Sequence, residues 1–166
     1  MNKKAVSEVV STVLIIMITV AAVGIIMAWV IPMIRTNVDK GSACFDAQSD
    51  IALVTDSGYT CIVNNATVNG VSGYGNISLQ IRKGPSTKVN LAGIQVLVSL
   101  KGNTKSTIIN SSSYTLPANN EEKTYVVSST DYNNAESVKI APIVKLGSTN
   151  QVCDISQTVL LSTCVA

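Results

Sequence analysis

The sequence predicts an α+β chain, with one long hydrophobic α-helix at the N-terminus and then an all-β domain of the Greek-key or immunoglobulin-like sandwich kind. Three observations predict it. Val9 to Ile34 reads VVSTVLIIMITVAAVGIIMAWVIPMI with no charged residue. From Ala43 onward the apolar residues alternate with polar ones, the period of strands rather than helices. All four cysteines, Cys44, Cys61, Cys153 and Cys164, lie beyond the apolar run.

The apolar run comes first. At 1.5 Å per residue its roughly 26 positions extend about 39 Å as a helix, enough to cross a hydrocarbon core of about 30 Å. It is apolar on every side, so it requires lipid or a bundle of similar helices around it. Ala21, Gly24 and Ala28 fall at i, i+3 and i+7, a stripe of small residues that permits close helix approach. Small residues are also common in any membrane helix. Ser7, Ser11, Thr12 and Thr19 can return their hydroxyls to the backbone or bond across helices. Trp29 suits a membrane interface. Pro32 cannot donate to the helical ladder and predicts a kink in its preceding turn. Arg35, Asp39 and Lys40 mark the exit to water, and Gly41-Ser42 reads as a hinge.

The strands follow. Ile51 and Leu53, then Tyr59, Cys61 and Val63, flank Asp56-Ser57-Gly58 and predict a hairpin. Asn64 to Gly75 is rich in Asn and Gly and reads as a loop. Ile77, Leu79 and Ile81 form the next strand, ended by Lys83-Gly84-Pro85. Ile94, Val96, Val98 and Leu100 form the clearest one. Weaker strands are expected near 107–109, 124–127 and 138–146, with a closing hairpin over 151–165. Seven or more short strands separated by turns predict the sandwich, and about 125 residues suffice to bury its core.

Cysteines confined to the part beyond a membrane segment indicate two disulfides in an oxidising compartment. None forms a C-x-x-C pair, which argues against zinc and thioredoxin-like chemistry. Three connectivities are possible. Proximity in sequence favours Cys44–Cys61 and Cys153–Cys164, each loop contributing roughly 3 kcal/mol.

The N-terminus resembles a known family. Lys3-Lys4-Ala5-Val6-Ser7-Glu8-Val9-Val10-Ser11-Thr12-Val13-Leu14 looks like the basic-then-small-then "VSPV" opening of archaeal type IV pilins and archaellins, and Ile18-Thr19-Val20-Ala21-Ala22-Val23 looks like their "ITVAA" core. The likeness covers about residues 3–34. An ordinary secretory signal would have a shorter apolar run with an A-x-A site after it. Here the small residue precedes the run, as in class III signal peptides. The resemblance implies a signal peptide over 1–5, an assembly and transmembrane helix over 6–40 and an ectodomain over 43–166. A prepilin peptidase would cut after Ala5, or alternatively after Lys4, so Lys4, Ala5 and Val6 bracket the site. Glu8 stands where many archaeal relatives carry proline. In bacterial-type pilins a glutamate at the fifth mature position pairs with a neighbour's amino terminus. Glu8 would be third or fourth. It also suits a helix N-terminus through the dipole alone. Glu8, Ala21, Gly24, Ala28 and Pro32 are thus the helix-assembly candidates.

The function expected from this resemblance is a structural subunit of a type IV pilus-like extracellular filament, serving adhesion. Its partners would be further copies of the chain in a helical homo-polymer, a prepilin peptidase, an assembly platform with its ATPase, and the membrane before assembly. The alternatives are an archaellum subunit, a minor pilin that primes or caps filaments, and a monomeric membrane-anchored surface domain.

Charged residues make up 13% of the chain and net charge is +2. That is too balanced for a nucleic-acid surface. The chain has no histidine, the commonest general base and metal ligand. Neither a phosphate loop nor a G-x-S-x-G elbow occurs. Asp46, Asp50 and Asp56 lack calcium-loop spacing and read as solvated turn residues. The five tyrosines read as core edges. No enzyme activity, cofactor or metal is expected. Ser, Thr and Asn total 48, a neutral, hydroxyl-rich surface. Asn65, Asn76 and Asn110 head N-x-S/T sequons, acceptors only on exported, exposed segments.

Overall fold

The computed structural model describes residues 3–164, with side chains from Val9 onward. The chain divides into two compact units, Met1–Lys40 and Gly41–Ala166. The first unit is helical throughout its described residues, and helix α1 as a whole runs Lys3–Asp50. Pro32 lies inside it without interrupting the helical assignment.

No break in the helix marks Gly41-Ser42, the site of the expected hinge: the helical residues continue to Asp50. A glycine inside a helix costs about 1 kcal/mol relative to alanine. Packing offsets it: Ala47 is fully buried in a cluster with Val89, Val144 and Cys153, and Ala43, Cys44 and Leu146 pack against that cluster. The helix ends where the Asp50 carbonyl accepts from Gly84 N–H at 2.7 Å.

Among its described residues the second unit holds ten strands in two sheets. In the first sheet the centre is β3 (Val71–Lys83). Strand β6 (Glu122–Ser129) pairs antiparallel along one flank, from Gly75↔Ser129 to Arg82↔Glu122. Strands β1 (Ile51–Leu53) and β2 (Cys61–Val68) share the other flank end to end. They do not form the expected hairpin with each other. The Asp56-Ser57-Gly58 turn does form, with Gly58 at φ +73° and its N–H on Thr55 O. But β3 has 13 residues, long enough to offer its edge to both strands in succession. The expected loop over 64–75 is instead the tip of the β2–β3 hairpin. Asn69 and Gly70, at φ 50° and 81°, turn it, the Asn-Gly signature of a two-residue hairpin turn.

The second sheet is centred on β4 (Leu91–Leu100) and β7 (Ser137–Leu146), which pair antiparallel. Strand β5 (Asn103–Asn110) lies beyond β4. Strands β9 (Gln157–Leu160) and β8 (Thr149–Val152) take successive halves of the far edge of β7. The expected closing hairpin over 151–165 therefore does not form: β8 and β9 pair with β7, and β10 (Ser162–Thr163) joins the first sheet, parallel to β2.

Alternate residues of both sheets meet in one core. Ile77, Leu79 and Ile81 of β3, Ile94, Val96 and Val98 of β4, Ile109, Val138 and Ile140 are all fully buried in one cluster. This is the period-2 pattern of strands buried on one face. Tyr125 and Tyr132 complete it. Gly75 is a point of close backbone approach: a Cβ there would stand 2.6 Å from the backbone oxygen of Tyr132 and 2.6 Å from the nitrogen of Asn133.

Candidate functional site

The largest chemical feature of the first unit is its apolar surface. Residues Val9 to Val30 are exposed without exception, and of the next ten only Ile31 is partly covered. Trp29 is 80% exposed and Val20 67%. The helix is long and apolar enough to cross a membrane, and its most apolar stretch has no protein packed over it. Three of its hydroxyls return to the backbone: Thr12 donates to Val9 O at 2.9 Å, Thr19 to Ile16 O at 2.8 Å, and Thr36 to Met33 O at 2.9 Å. Returning hydroxyls to the helix leaves no polar atom seeking water on those faces. Ala21, Gly24 and Ala28 are exposed, and a Cβ on Gly24 would meet nothing within 4 Å. The side chains of Lys4, Ala5, Val6 and Glu8 lie outside the described residues.

The cysteines pair otherwise than proximity suggested. Cys44 bonds Cys153 with Cα atoms 5.3 Å apart, and Cys61 bonds Cys164 at 5.0 Å. The local pairs Cys44–Cys61 and Cys153–Cys164 are not formed, because Cys44 sits on a helical turn packed against Cys153 and Val144. Cys61 opens β2, where the chain end returns alongside it, with Cys164 N–H on Ile62 O at 2.9 Å. The pairing follows sheet topology, which alternation within single strands does not encode.

The three sequon asparagines occupy different settings. Asn65 is exposed, with φ 53° and its N–H donating to Asn133 Oδ1 at 2.9 Å. Asn76 lies mid-β3, paired on both sides, with a buried Oδ1 that has no hydrogen-bond partner. Asn110 is half-buried, its Oδ1 accepting from Ser112 and Ser113 N–H at 3.2 Å.

The reading of Asp50 as a solvated turn residue is overturned. Its side chain is 6% exposed and forms an ion pair with Lys83, itself 5% exposed, at 3.6 Å. Asp50 Oδ1 accepts from Ser86 N–H at 3.1 Å. Lys83 Nζ donates to Ser86 O at 3.1 Å and contacts Asn119 Oδ1. Gly84 is required beside them, since a Cβ there would run into the Asp50 carboxylate. A buried Lys–Asp pair is costly to desolvate and is held only where hydrogen bonds complete it. In the sequence, Lys83 ended a strand and Asp50 stood among polar residues, so neither signalled burial.

Among the tyrosines, Tyr59 is exposed, Tyr74 and Tyr114 are half-buried, and Tyr125 and Tyr132 are buried. Desolvation, helped by the nearby Glu121 charge, pushes the Tyr125 hydroxyl up to about 12. It donates to Thr115 O at 2.8 Å, and its ring meets Tyr114 edge-on at 5.8 Å. Tyr132 is also raised, chiefly by burial. Glu121 is held below the usual carboxylate range, first by Ala118 N–H at 2.6 Å and then by Lys123. Among the described residues no group of three or more His, Cys, Asp or Glu side chains is placed to hold a metal.

No protein-family model, no curated protein and no solved structure matches this chain.

Proposed function

We propose that the chain is a structural subunit of an archaeal type IV pilus-like filament, assembling through its N-terminal helix, with adhesion as its role. The observation that carries this reading is the helix itself: apolar on all sides over Val9 to Ile34, with every residue exposed but the partly covered Ile31, and preceded by Lys3-Lys4-Ala5. Before assembly that surface lies in lipid. In the filament it packs against other copies, so one apolar surface serves both states. Cleavage after Ala5 by a prepilin peptidase precedes assembly, and the platform and its ATPase extract the helix from the membrane. The small stripe Ala21, Gly24, Ala28 lies on a helix–helix face, while Glu8 and Pro32 set register near the two ends.

The ectodomain is of the immunoglobulin-like, Greek-key kind. Its strand order supports this: β2-β3-β6 in one sheet, and β5-β4-β7 followed by β8 and β9 in the other. The chain changes sheets between β3 and β4, between β5 and β6, and between β6 and β7, as in that fold, and once more between β9 and β10. Two long-range disulfides and a hydroxyl-rich, glycosylated exterior suit a surface filament outside the cell.

The test is the N-terminal sequence of the protein in sheared cell-surface material, with electron microscopy of the same fraction. A start at Val6 or Ala5 in uniform filaments is expected. A start at Met1, confined to membranes without filaments, overturns the reading and leaves a monomeric anchored surface domain. Filaments that rotate, with swimming lost on deletion, would make it an archaellum subunit.

A further inference from the structure

Asp50, Lys83 and Asn119 form a self-contained reactive site, and we propose that it makes an intramolecular isopeptide bond between Lys83 Nζ and Asn119 Cγ. The inference does not depend on the filament reading. Three features carry it.

First, an amine and a carboxamide are held together. Lys83 Nζ contacts Asn119 Oδ1, so the amide carbon is the next atom along. Holding a nucleophile and an electrophile in contact converts a sluggish bimolecular reaction into a unimolecular one. Second, the amine is taken out of water with an acid beside it. The side chains of Lys83 and Asp50 are 5% and 6% exposed and stand 3.6 Å apart. Asp50 Oδ2 is buried and accepts no hydrogen bond. It is a carboxylate oxygen with nothing to do except exchange a proton with Nζ. Third, the backbone fixes all three. Lys83 N–H donates to Glu121 O at 2.9 Å and Asn120 N–H to Gly84 O at 3.1 Å, so the segment carrying Asn119 is clamped to the end of β3. Gly84 N–H on Asp50 O and Ser86 N–H on Asp50 Oδ1 hold the carboxylate.

The step balances without an external reagent. Asp50 Oδ2 takes one proton from the Lys83 ammonium, freeing its lone pair. Nζ attacks Asn119 Cγ and the carbonyl π pair moves onto Oδ1. A second proton passes from Nζ to Nδ2. The oxygen pair returns, the Cγ–Nδ2 bond breaks, and ammonia leaves with the proton that Asp50 held. The products are a secondary amide, an ammonium ion and a regenerated Asp50 carboxylate. Asn119 is exposed, so ammonia has an open exit, while Lys83 and Asp50 remain enclosed.

The bond would seal the end of the β3–β6 ladder at the point where β6 begins. It would also remove a buried cation whose charge is otherwise costly to hold.

The test uses the full chain, produced in a host without N-glycosylation, folded, then reduced and digested with trypsin. The expected product is a branched peptide joining 83–88 to 106–123, uncut at Lys83 and lighter than its two parts by one ammonia. Asn119→Ala is expected to release both peptides as linear species. Asp50→Asn is expected to do the same while keeping the circular dichroism of the folded chain. Linear peptides from the folded wild-type chain overturn the proposal, as does ammonia loss confined to the linear peptide 106–123, which is a succinimide at Asn119. A bond that persists in Asp50→Asn overturns the proton-carrying role of Asp50.

Discussion

The two disulfides interlock, and interlocked loops make a prediction that separate loops do not. Consider removing Cys44–Cys153, Cys61–Cys164 or both, by paired replacement with alanine. Taken alone, the bonds close loops with sequence separations of 109 and 103. Loop-closure entropy for spans of that size is worth about 4.8 kcal/mol. With one bond already in place, the second closes a much shorter path. It runs 17 residues from Cys44 to Cys61 and 11 from Cys153 to Cys164, and a path of about 28 residues is worth about 3.6 kcal/mol. Losing either bond alone should therefore cost about 3.6 kcal/mol, and losing both about 8.4, some 1.2 kcal/mol beyond twice the single loss. Local pairs would behave differently, since Cys44–Cys61 and Cys153–Cys164 enclose disjoint loops and their losses would simply add. The assay is urea unfolding of the detergent-solubilised full chain, followed by near-ultraviolet tyrosine dichroism, because the only tryptophan, Trp29, is in the apolar helix. A double loss equal to or smaller than twice the single loss would refute the interlocked account.

Three further outcomes are expected. Gly75→Ala should destabilise the β-domain by about 2 kcal/mol or more, because the new methyl meets the backbone of Tyr132 and Asn133 rather than a movable side chain; urea midpoints measure it. Tyr125 has a folded-state pKa raised above the unfolded value of 10.0, to about 12, so its contribution is complete below pH 10 and lost as pH rises toward 12. Stopped-flow alkaline jumps on wild type and Tyr125→Phe should show an extra loss of stability in the wild type over that window, absent in the variant. Glycopeptide mapping of the native protein should find sugar on the exposed Asn65 and none on Asn76, whose Oδ1 is enclosed; occupied Asn76 in folded protein would contradict the position of β3.

The sequence carried the elements further than their connections. Val9 to Ile34 could be read as a helix because unbroken apolarity over that length has few other solutions, and Ile94, Val96 and Val98 as a strand because alternation is a local property. Pairing is not local. Whether β1 meets β2 or β3 depends on β3 extending to Lys83, and nothing within 51–63 reports that. The same gap explains the cysteines, since proximity along the chain is a poor guide once a sheet brings residue 61 beside residue 164. Gly41 looked like a hinge because propensity was the only information at hand, whereas the burial of Ala47 against Val89 and Val144 decided the matter. The Asp50–Lys83–Asn119 cluster was illegible for a further reason. Each residue type is ordinary at the end of an element, and only the convergence of a helix end, a strand end and a loop withdraws the first two from water.

These long-range links share a location that bears on mechanical load. Residues 41–50 enter the second unit as helix, and the first strand they lead to, β1, is three residues long. Three residues of ladder resist little pulling. Ahead of β1, however, stands Cys44 bonded to Cys153, and at its start stands Asp50, ion-paired to Lys83 and accepting from the backbone of Gly84 and Ser86. Tension arriving along the helix therefore reaches a covalent bond into the second sheet before it reaches β1. The Gln48 side chain adds a hydrogen bond to Asp154 O at 3.0 Å in the same segment. The opposite end of the chain is closed likewise by Cys61–Cys164, which ties β2 to the terminus. A domain whose entry and exit strands are both short, β1 and β10, is thus covalently fastened at both, and its hydrogen-bonded ladders are not the first elements to bear force.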